Sequence, residues 1–592
     1  MPLGPAGQRR GIRYRLDHVV KRGALLLVGD FLGISGRVDF DAADAEIGLA
    51  HPPFAGRGTP PTPHRAVRRP APDASPQPVE TGPGEHLLLS GPVTRPATDG
   101  WQRRIADLVR EGRYAELARL PGELCGALVT ARKVTLFRNL VSTEGLLYRR
   151  DGPVVRWSTD PADLLDRERE EFSRQAIWRC CRGDEVFIYH GLTPVRPGEL
   201  VVADRTTLST VRFDALTPLD LPRRTPLAQY AELAYEMLLR EARAYVGAGR
   251  VGVMVSGGLD SAAVLCALVE AGADVVAYHH VVDDPLADES AYARTICDHL
   301  SVPLEMVKAG YDGDFPPRER SFSHPFLNVG FPWLEQLAER VHGDGIRLLV
   351  WGRDGDLRFG PLRYGLHDAL AGDIPFRERA ALCAGLISSR WELPRIVRTA
   401  SRSRSLFDDI RSGGGLARAT DFLEPVPGVP DDPFADVPAE DDYSVKDACA
   451  HLTSWRPRGI MMCDPLGSRD LRRLAARMPD AYRMIPYQGQ VITKPVLRLL
   501  LSTRLPAPVW RRYGRLWMSS AHKHRALADA GVFHELMGGP DSRLVRMGVV
   551  NPERLAEVLT DPHRRRRNAE TLVHAAMTEI FLRHYEGRTP RP

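Results

Sequence analysis

Lysine is the scarcest charged residue in this sequence. Only six of the 80 basic residues are lysines, and arginine supplies the others. The net charge of +5 is small for 592 residues, so it neither requires nor excludes a nucleic-acid partner. Because lysines are so few, each one in a polar motif is a candidate for a specific chemical role.

Paired cysteines and long apolar runs are also missing. The eight cysteines form no CxxC pair and no metal-ligand spacing, which favours free thiols in a reducing compartment. Residues 1–16 contain no apolar signal core. The most apolar early run, residues 24–34, contains Asp30 and is too short to span a bilayer. These absences favour a cytoplasmic protein with no membrane partner.

Composition and periodicity predict a β-rich domain over residues 1–220. Short apolar runs over residues 24–50 and β-type runs over residues 121–206 are separated by turn signals, which indicates an antiparallel layer. The segment 51–84 is rich in Pro, Gly and Arg and cannot build a core. We therefore expect a mobile insertion at residues 51–84.

A second predicted domain covers residues 221–592. From about Leu227, strand and helix patterns alternate, which is typical of a parallel α/β sheet. A polar stretch over residues 411–442 predicts an inserted loop, and helical patterns dominate from there to the C-terminus. The predicted fold class is thus α/β with a β-rich N-terminal domain.

The stretch VMVSGGLDSAAVL, Val253 to Leu265, carries the clearest chemical signal. A predicted buried strand ends at two glycines, and an apolar helix begins at once. Glycine lets the backbone approach an anion closely, and a helix N-terminus directs N–H groups towards it. Asp260 would repel a bare phosphate, so its position favours a bound Mg²⁺. The pattern is not a Walker loop, because GxxxxGK[ST] is absent. The predicted cofactor-binding residues of this stretch are Val255, Ser256, Gly257, Gly258, Asp260 and Ser261.

This motif resembles the PP-loop, SGGxDS, of the N-type ATP pyrophosphatases, which cleave ATP between the α and β phosphates. The segment DESAYARTICDHLSVPLEMV is similar to an acidic helix of the asparagine synthetase family, in which Glu289 would contact the metal or pyrophosphate, or simply begin a solvated helix. The segment LLVWGRDGDLRFG resembles that family's GxGxDExFGG loop. The resemblance implies ATP and Mg²⁺, with Asp260 and Asp356 on the metal and Gly352 and His279 beside the nucleotide.

A third segment, ITKPVLRLLLSTRLPAPVWRR, resembles the TKxxLR stretch of the same family. The resemblance makes Lys494 a cation for phosphate charge, one helical turn from Arg498. Tyr513 stands at about the position of the family's closing lysine, which stabilises the developing charge of the intermediate. Three basic residues could take that lysine's place: Arg512, Arg515 and Lys523. The candidate catalytic residues are Lys494, Arg353 and Arg515.

The N-terminal half is similar to the glutaminase-like domain of this family, in segments such as LPGELCGALVTARKVTLFRN. The family's glutaminase uses a cysteine directly after the initiator Met, and this sequence has Pro2 there. The nearest cysteine is Cys125. We therefore expect a degenerate glutaminase-like sandwich that serves as a scaffold, followed by a PP-loop synthetase domain.

The resemblance implies an AMP-forming ligase that adenylates a carboxylate and then joins it to an amine. Relatives without a glutaminase include β-lactam synthetases and the macrolactam cyclases of lasso peptide biosynthesis. We favour the lasso cyclase, because the chain is long, its C-terminus is helical and the 411–442 loop could cover a threaded peptide. In addition, Arg353 stands where β-lactam synthetases carry a tyrosine.

The expected substrate is then the core peptide of a precursor, whose Asp or Glu side chain is joined to its own N-terminal amine. A leader-binding protein and a leader peptidase are implied partners, and no nucleic acid or membrane is expected. Two alternatives stay open: a small-molecule synthetase, of the β-lactam or ammonia-dependent asparagine type, and a nucleotide-binding pseudoenzyme. A tRNA-modifying enzyme would need catalytic cysteines and a basic RNA-binding domain, and neither is evident in the sequence.

Overall fold

A computed structural model describes most of the chain from residue 79 to residue 512 and most of the C-terminal region. The described residues are 25–26, 34–41, 44–48, 79–90, 94–95, 100–120, 122–130, 132–165, 172–184, 186–281, 288–308, 331–360, 374–388, 419–426, 454–487, 490–512, 528 and 530–587.

Two antiparallel sheets form the N-terminal half, in agreement with the predicted β-rich layer. The five-stranded sheet contains, in spatial order, Thr193–Pro194, Leu147–Asp151, Val154–Ser158, Ser35–Asp39 and Asp44–Gly48. The six-stranded sheet contains Leu208–Arg212, Glu199–Asp204, Lys133–Arg138, Cys125–Val129, Glu85–Ser90 and Val79–Gly82. A separate short pair joins Leu25–Leu26 to Thr94–Arg95.

These two sheets pack face to face. Successive side chains of a strand point to opposite sides, so one set of side chains faces the other sheet and the alternate set faces away from it. Leu88 lies in a core that also contains Val155 and Trp157 of the five-stranded sheet. Its neighbours Leu87 and Leu89 lie in a second core with two helices, Trp101–Arg110 and Tyr114–Leu117. The six-stranded sheet is therefore apolar on both faces, with a sheet on one and helices on the other.

The predicted insertion at residues 51–84 is wrong at its C-terminal end. Val79–Gly82 forms an edge strand that pairs with Glu85–Ser90 through a tight turn at Gly84, whose φ is +66°. The polar sequence VETG gives no apolar signal, and the strand exists because its neighbour offers hydrogen-bonding partners. Residues 51–78 lie outside the described residues.

A five-stranded parallel sheet forms the centre of the second half, as the alternating pattern predicts. Its strands are, in spatial order, Leu304–Lys308, Val275–Val281, Val251–Met254, Leu348–Val350 and Met461–Cys463. The loops that follow Val251–Met254 and Leu348–Val350 leave adjacent parallel strands at the same edge. Open parallel sheets bind their ligands at this carboxyl edge.

Both faces of the parallel sheet are buried. Val275 and Ala277 lie in one core, whereas Val276 and Tyr278 lie in another on the opposite face. The longer helices of this half are Leu227–Ala242, Leu259–Ala271, Ser290–Leu300, Phe331–Gly343 and Phe376–Ser388. Shorter helices are Gly355–Phe359, Arg469–Arg477, Pro495–Leu501 and Ala507–Trp510. A hairpin joins Met484–Tyr487 to Gln490–Thr493.

The C-terminal region is helical, as predicted, and it packs against the N-terminal half. Its helices are Ala530–Met537, Arg543–Arg546, Pro552–Thr560, Pro562–Arg567 and Ala569–Gly587. They share a core with the Arg174–Cys181 helix, so the two predicted domains are joined by common apolar packing. None of the described helices combines the length and apolarity needed to cross a membrane.

The described part of the polar stretch 411–442, residues 419–426, contains no helix or strand, but part of it is buried. Phe422 and Leu423 are buried in the C-terminal core, and Leu423 forms an antiparallel bridge with Val550. Two apolar residues thus anchor this stretch despite its polar composition. Residues 411–418 and 427–442 lie outside the described residues.

Candidate active site

The SGGLDS motif lies at the carboxyl end of the central parallel strand. The strand ends at Met254, and the Leu259–Ala271 helix begins directly after Gly258. Gly257 has a φ of +86°, and a Cβ there would lie 2.9 Å from the Glu289 carbonyl oxygen. Both the backbone angle and the close contact require glycine at this position. The loop therefore has the strand–glycine–helix geometry that the sequence predicts for an anion site.

The two serines of this loop hold its backbone in place. The Ser256 N–H donates to Ser261 Oγ at 3.2 Å, and the Gly258 N–H donates to Ser256 Oγ at 3.2 Å. Ser261 Oγ also donates to the Gly258 carbonyl oxygen at 3.3 Å. The two hydroxyls predicted to bind phosphate thus also stabilise the turn, through hydrogen bonds to the loop backbone.

His279, predicted to lie beside the nucleotide, is buried and contacts the loop through Val255. Its Nδ1 is 2.7 Å from the Val255 carbonyl oxygen, and its Nε2 is 3.1 Å from Ser290 Oγ. A carbonyl can only accept, so Nδ1 carries a hydrogen. Burial lowers the pKa of His279, which favours the neutral ring. These contacts make His279 a support of the loop backbone.

The GRDGD loop, Gly352 to Asp356, packs directly on Asp260. A Cβ on Gly352 would lie 2.8 Å from the Asp260 carbonyl carbon, and a Cβ on Gly355 would overlap Asp260 Oδ1. Sequence reasoning identified Gly352 but missed Gly355. The only available signal was a second glycine three residues after the first, and its role depends on where Asp260 lies in space.

Asp260, Asp356 and Lys494 converge at one point. Lys494 Nζ forms an ion pair with Asp260 Oδ2 and a second with Asp356 Oδ1, the latter at 2.8 Å. Burial alone would lower the pKa of Lys494, but the two carboxylates outweigh it and raise the pKa above its usual value. Three residues predicted from separate motifs thus form one charged cluster.

Lys494 has a left-handed backbone, with φ +56° and ψ +48°, directly before the Pro495–Leu501 helix. This conformation is uncommon for a residue with a side chain and tends to occur at functional sites. The Lys494 N–H donates to the Arg483 carbonyl oxygen at 2.9 Å, which helps to hold the position. The backbone therefore presents the ammonium group to both carboxylates.

The pair of carboxylates fits Mg²⁺ bound to a nucleotide. Mg²⁺ in such sites takes one or two carboxylates, and the substrate phosphates and water supply its other ligands. Asp260 and Asp356 lie close enough to contact the same ammonium nitrogen, and they follow adjacent strands. Within the described residues, no group of three or more His, Cys, Asp and Glu side chains is arranged to hold a metal ion.

Behind the GRDGD loop, Asp354 is buried among arginines, a feature that sequence reasoning missed. Arg358 Nη2 lies 2.8 Å and Arg472 Nη2 lies 3.5 Å from Asp354 Oδ2. Burial acts to raise the pKa of Asp354, but the arginines outweigh it and lower the pKa below its usual value. Arg353, a predicted catalytic residue, is half-buried, with Nη1 3.6 Å from Asp354 Oδ1.

On the other side of the SGGLDS loop, Arg512 forms an ion pair with Glu289. The Arg512 guanidinium also lies over the Tyr292 ring, 4.3 Å from its centroid. Glu289, a predicted metal or pyrophosphate contact, is thus the partner of a cation in this structure. Arg515, Tyr513 and Lys523 lie outside the described residues.

Cys125, the cysteine nearest to the N-terminus, lies in an apolar core. Cys125 is fully buried in the sandwich core, and burial raises the pKa of its thiol to about 12. A reactive cysteine needs an exposed, electropositive setting that lowers its pKa. Cys125 therefore lacks the setting of a reactive cysteine.

Comparison with known proteins gives one substantial match. The family model described as asparagine synthase matches residues 235–583, more than half of the chain. No curated protein matches the sequence.

Two solved structures show only weak similarity. One is the allosteric regulatory enzyme of purine biosynthesis, at 12% identity and a TM-score of 0.16, covering 48% of this chain and 56% of that one. The other is the B. subtilis glutamine phosphoribosylpyrophosphate amidotransferase complexed with ADP and GMP, at 11% identity and 0.15, covering 50% and 59%. The chain thus spans less than two thirds of either enzyme, and such low TM-scores carry no argument about the fold.

Proposed function

The chain belongs to the asparagine synthase family, and from that premise we propose that it is an ATP-dependent, AMP-forming ligase that makes an amide bond. The observation that carries this proposal is the cluster of Asp260, Lys494 and Asp356 at the mouth of the SGGLDS loop. A phosphate loop, two acidic residues and a buried lysine are the groups needed to hold ATP and release pyrophosphate.

The SGGLDS loop binds the phosphates through its backbone N–H groups and the Ser256 and Ser261 hydroxyls. Lys494 moves from carboxylate oxygens to phosphate oxygens when the nucleotide enters, because phosphates carry more negative charge. Asp260 and Asp356 would hold Mg²⁺, which would neutralise charge on the phosphates. These groups favour charge building up on the leaving pyrophosphate.

The reaction has two steps. A carboxylate oxygen of the substrate attacks the α-phosphorus, the bond from that phosphorus to the bridging oxygen breaks, and pyrophosphate leaves with the electron pair. An amine nitrogen then attacks the acyl carbon, the bond to AMP breaks, and the nitrogen loses one proton. That nitrogen must be the neutral amine when it attacks. An α-ammonium group has a reference pKa near 8, so it needs little help to reach the neutral form at neutral pH.

The amine belongs to the peptide substrate itself, as in a lasso peptide cyclase. Ammonia from glutamine has no support in the described residues, because Cys125 is buried with a raised pKa. The helical C-terminal region packs on the N-terminal half, and it is the part of the chain assigned to peptide binding in this proposal. The substrate is a core peptide whose Asp or Glu side chain is joined to its N-terminal amine, and the partners are a leader-binding protein and a leader peptidase.

ATP–pyrophosphate exchange tests the enzyme proposal. If a short reading frame beside this gene encodes a precursor, its leader-free core peptide should stimulate exchange and should lose one water by mass spectrometry. Asp260→Ala should abolish the exchange, while Asp298→Ala, an exposed carboxylate on the Ser290–Leu300 helix, should preserve it.

Other substrates separate this proposal from its alternatives. Exchange stimulated by aspartate with ammonia, or by a small β-amino carboxylate, would replace the peptide proposal with a small-molecule synthetase. Nucleotide binding without exchange for any of these substrates would show a pseudoenzyme.

A further inference from the structure

Arg512 occupies a defined place beside the phosphate loop. It follows the Ala507–Trp510 helix, and its guanidinium pairs with Glu289 while lying over the Tyr292 ring. The Arg512 and Glu289 side chains are only 12% and 20% exposed. The guanidinium is therefore held by an ion pair on its edge and an aromatic ring on its face.

Both partners of Arg512 contact the loop itself. A Cβ on Gly257 would lie 2.9 Å from the Glu289 carbonyl oxygen and 3.1 Å from Tyr292 Cβ. The Gly257 backbone is thus in van der Waals contact with Glu289 and Tyr292, the two residues that hold the Arg512 guanidinium. The Arg512 guanidinium is therefore linked to the edge of the loop through Glu289 and Tyr292.

Lys494 and Arg512 flank the central strand from opposite sides. Lys494 contacts Asp356, which follows the neighbouring Leu348–Val350 strand. Glu289 begins the helix after the Val275–Val281 strand, which pairs with the other edge of the central strand. The phosphate loop therefore has one cation on each flank.

One further arginine fixes the backbone at both cations. Arg498 Nε donates to the Thr493 carbonyl oxygen at 2.7 Å, directly before Lys494. Arg498 Nη1 donates to the carbonyl oxygens of Trp510 and Arg512, both at 2.7 Å. The spacing between the two cations is thus set by one guanidinium on the Pro495–Leu501 helix.

We infer that Arg512 is the second cation for the pyrophosphate half of ATP, and that Glu289 holds it in place until the phosphates enter. This inference rests on the proposed function. A guanidinium binds phosphate oxygens in pairs, and a phosphate carries more charge than the single Glu289 carboxylate. Arg512 therefore exchanges Glu289 for phosphate, while the Tyr292 ring keeps the guanidinium plane oriented.

The test separates the two halves of ATP. Inorganic pyrophosphate and AMP, each with Mg²⁺, are titrated calorimetrically into the full-length chain. Arg512→Met should weaken pyrophosphate binding about tenfold or more, as loss of charge-assisted hydrogen bonds does, and should change AMP binding by less than about threefold. Arg511→Met is the matched control, since Arg511 is exposed over the Trp510 ring, and it should leave both affinities unchanged.

Two more variants test the exchange of partners. Glu289→Gln should tighten pyrophosphate binding several-fold, because the competing negative charge is gone. Arg512→Lys keeps the charge and should recover part of the lost affinity even if Arg512→Met folds poorly. Equal pyrophosphate affinities in Arg512→Met, Arg512→Lys and Arg511→Met would overturn the inference. A wild-type chain that binds neither ATP nor pyrophosphate would instead contradict the proposed function.

Discussion

At the residue scale, the proposed function gives Lys494 two roles that depend on what the site contains. Without nucleotide it separates the Asp260 and Asp356 carboxylates, which would otherwise face each other across a partly buried site. With nucleotide bound, its ammonium group is available to the phosphates. On that proposal the same position balances charge in both states, and its left-handed backbone is of the kind that tends to occur at functional sites.

We expect Lys494→Met to make the melting temperature of the protein depend on Mg²⁺ even without nucleotide. Without the ammonium group the two carboxylates repel each other, so the melting temperature should fall in metal-free buffer. Adding millimolar Mg²⁺ should raise it again by a few degrees, since about 1 kcal/mol of binding energy shifts a domain's Tm by about 2–4 °C. Differential scanning calorimetry measures both effects.

The wild-type chain should respond less to Mg²⁺, because Lys494 competes with the metal. Adding Asp356→Asn to Lys494→Met should remove the response. A Mg²⁺ effect that persists in this double variant would place the metal elsewhere.

His280 gives a pH prediction at the same scale. Burial lowers its pKa from 6.5 to about 4 in the folded protein. Between these values the unfolded chain binds the proton and the folded chain does not, so stability is lost as pH falls below about 6.5. The loss is at most about 1.4 kcal/mol for each pH unit.

Urea unfolding at pH 5 and pH 7.5 should therefore show a smaller difference in His280→Gln than in the wild type. Some acid sensitivity should remain from His279, whose pKa burial also lowers. If the free energy of unfolding changes equally between the two pH values in both proteins, proton binding to His280 in the unfolded chain does not cause the acid sensitivity.

At the element scale, the Pro495–Leu501 helix positions both flanks of the phosphate loop through Arg498. Arg498→Met removes three charge-assisted hydrogen bonds to carbonyls, each contributing about 1.5–3 kcal/mol. We expect faster amide hydrogen exchange over residues 507–512. We also expect a drop in the maximal ATP–pyrophosphate exchange rate that exceeds the change in KM for ATP.

Arg504→Met is the control within the same region. Arg504 donates to the Leu500 carbonyl oxygen and lies over the Tyr235 ring. Amide hydrogen exchange over residues 507–512 should be the same in Arg504→Met as in the wild type. Similar changes in both variants would point to general loosening of the helix.

At the scale of the whole molecule, buried charges join the N-terminal sandwich to the synthetase half. Glu144 and Arg456 form an ion pair with only 5% and 3% of their side chains exposed. Arg472 Nη1 also donates to the Leu140 carbonyl oxygen at 3.3 Å while its Nη2 contacts Asp354. The sandwich is thus linked to the back of the GRDGD loop, consistent with a scaffold domain.

Removing one member of the Glu144–Arg456 pair should destabilise the protein strongly, because the other charge is left buried. Loss of one partner of a buried pair costs about 3–5 kcal/mol. We expect that loss for Arg456→Met, and a smaller total for Arg456→Met with Glu144→Gln than the sum of the two single variants. Urea unfolding of the four proteins gives the coupling, and strictly additive effects would show that the pair is not coupled.

Features that depend on residues close together in the sequence could be predicted, and features that depend on distant residues could not. The SGGLDS loop was predictable because a strand, two glycines and a helix lie within thirteen residues. Gly355 was not, since its constraint comes from Asp260 about ninety residues earlier, and only the fold brings them together. The same holds for Arg472, whose partners Leu140 and Asp354 lie in different halves of the chain.

Composition misled where short segments depend on their neighbours. Val79–Gly82 is polar and became a strand through pairing with Glu85–Ser90. Phe422 and Leu423 sit in a polar stretch but fill a core made by helices more than a hundred residues further on. In both cases the stabilising partner is invisible in a local window.

The core shared by the Arg174–Cys181 helix and the Ala569–Gly587 helix also has a consequence for protein synthesis, because its two parts are translated far apart in time. The apolar face of the first helix, including Ile177 and Cys181, leaves the ribosome long before its cover is made. At about 5–20 residues per second, the intervening chain takes roughly 20–80 s to translate. During that interval a nascent chain carries an exposed apolar surface, so yield in a foreign host should depend on chaperones that bind nascent chains more than on the stability of the finished protein.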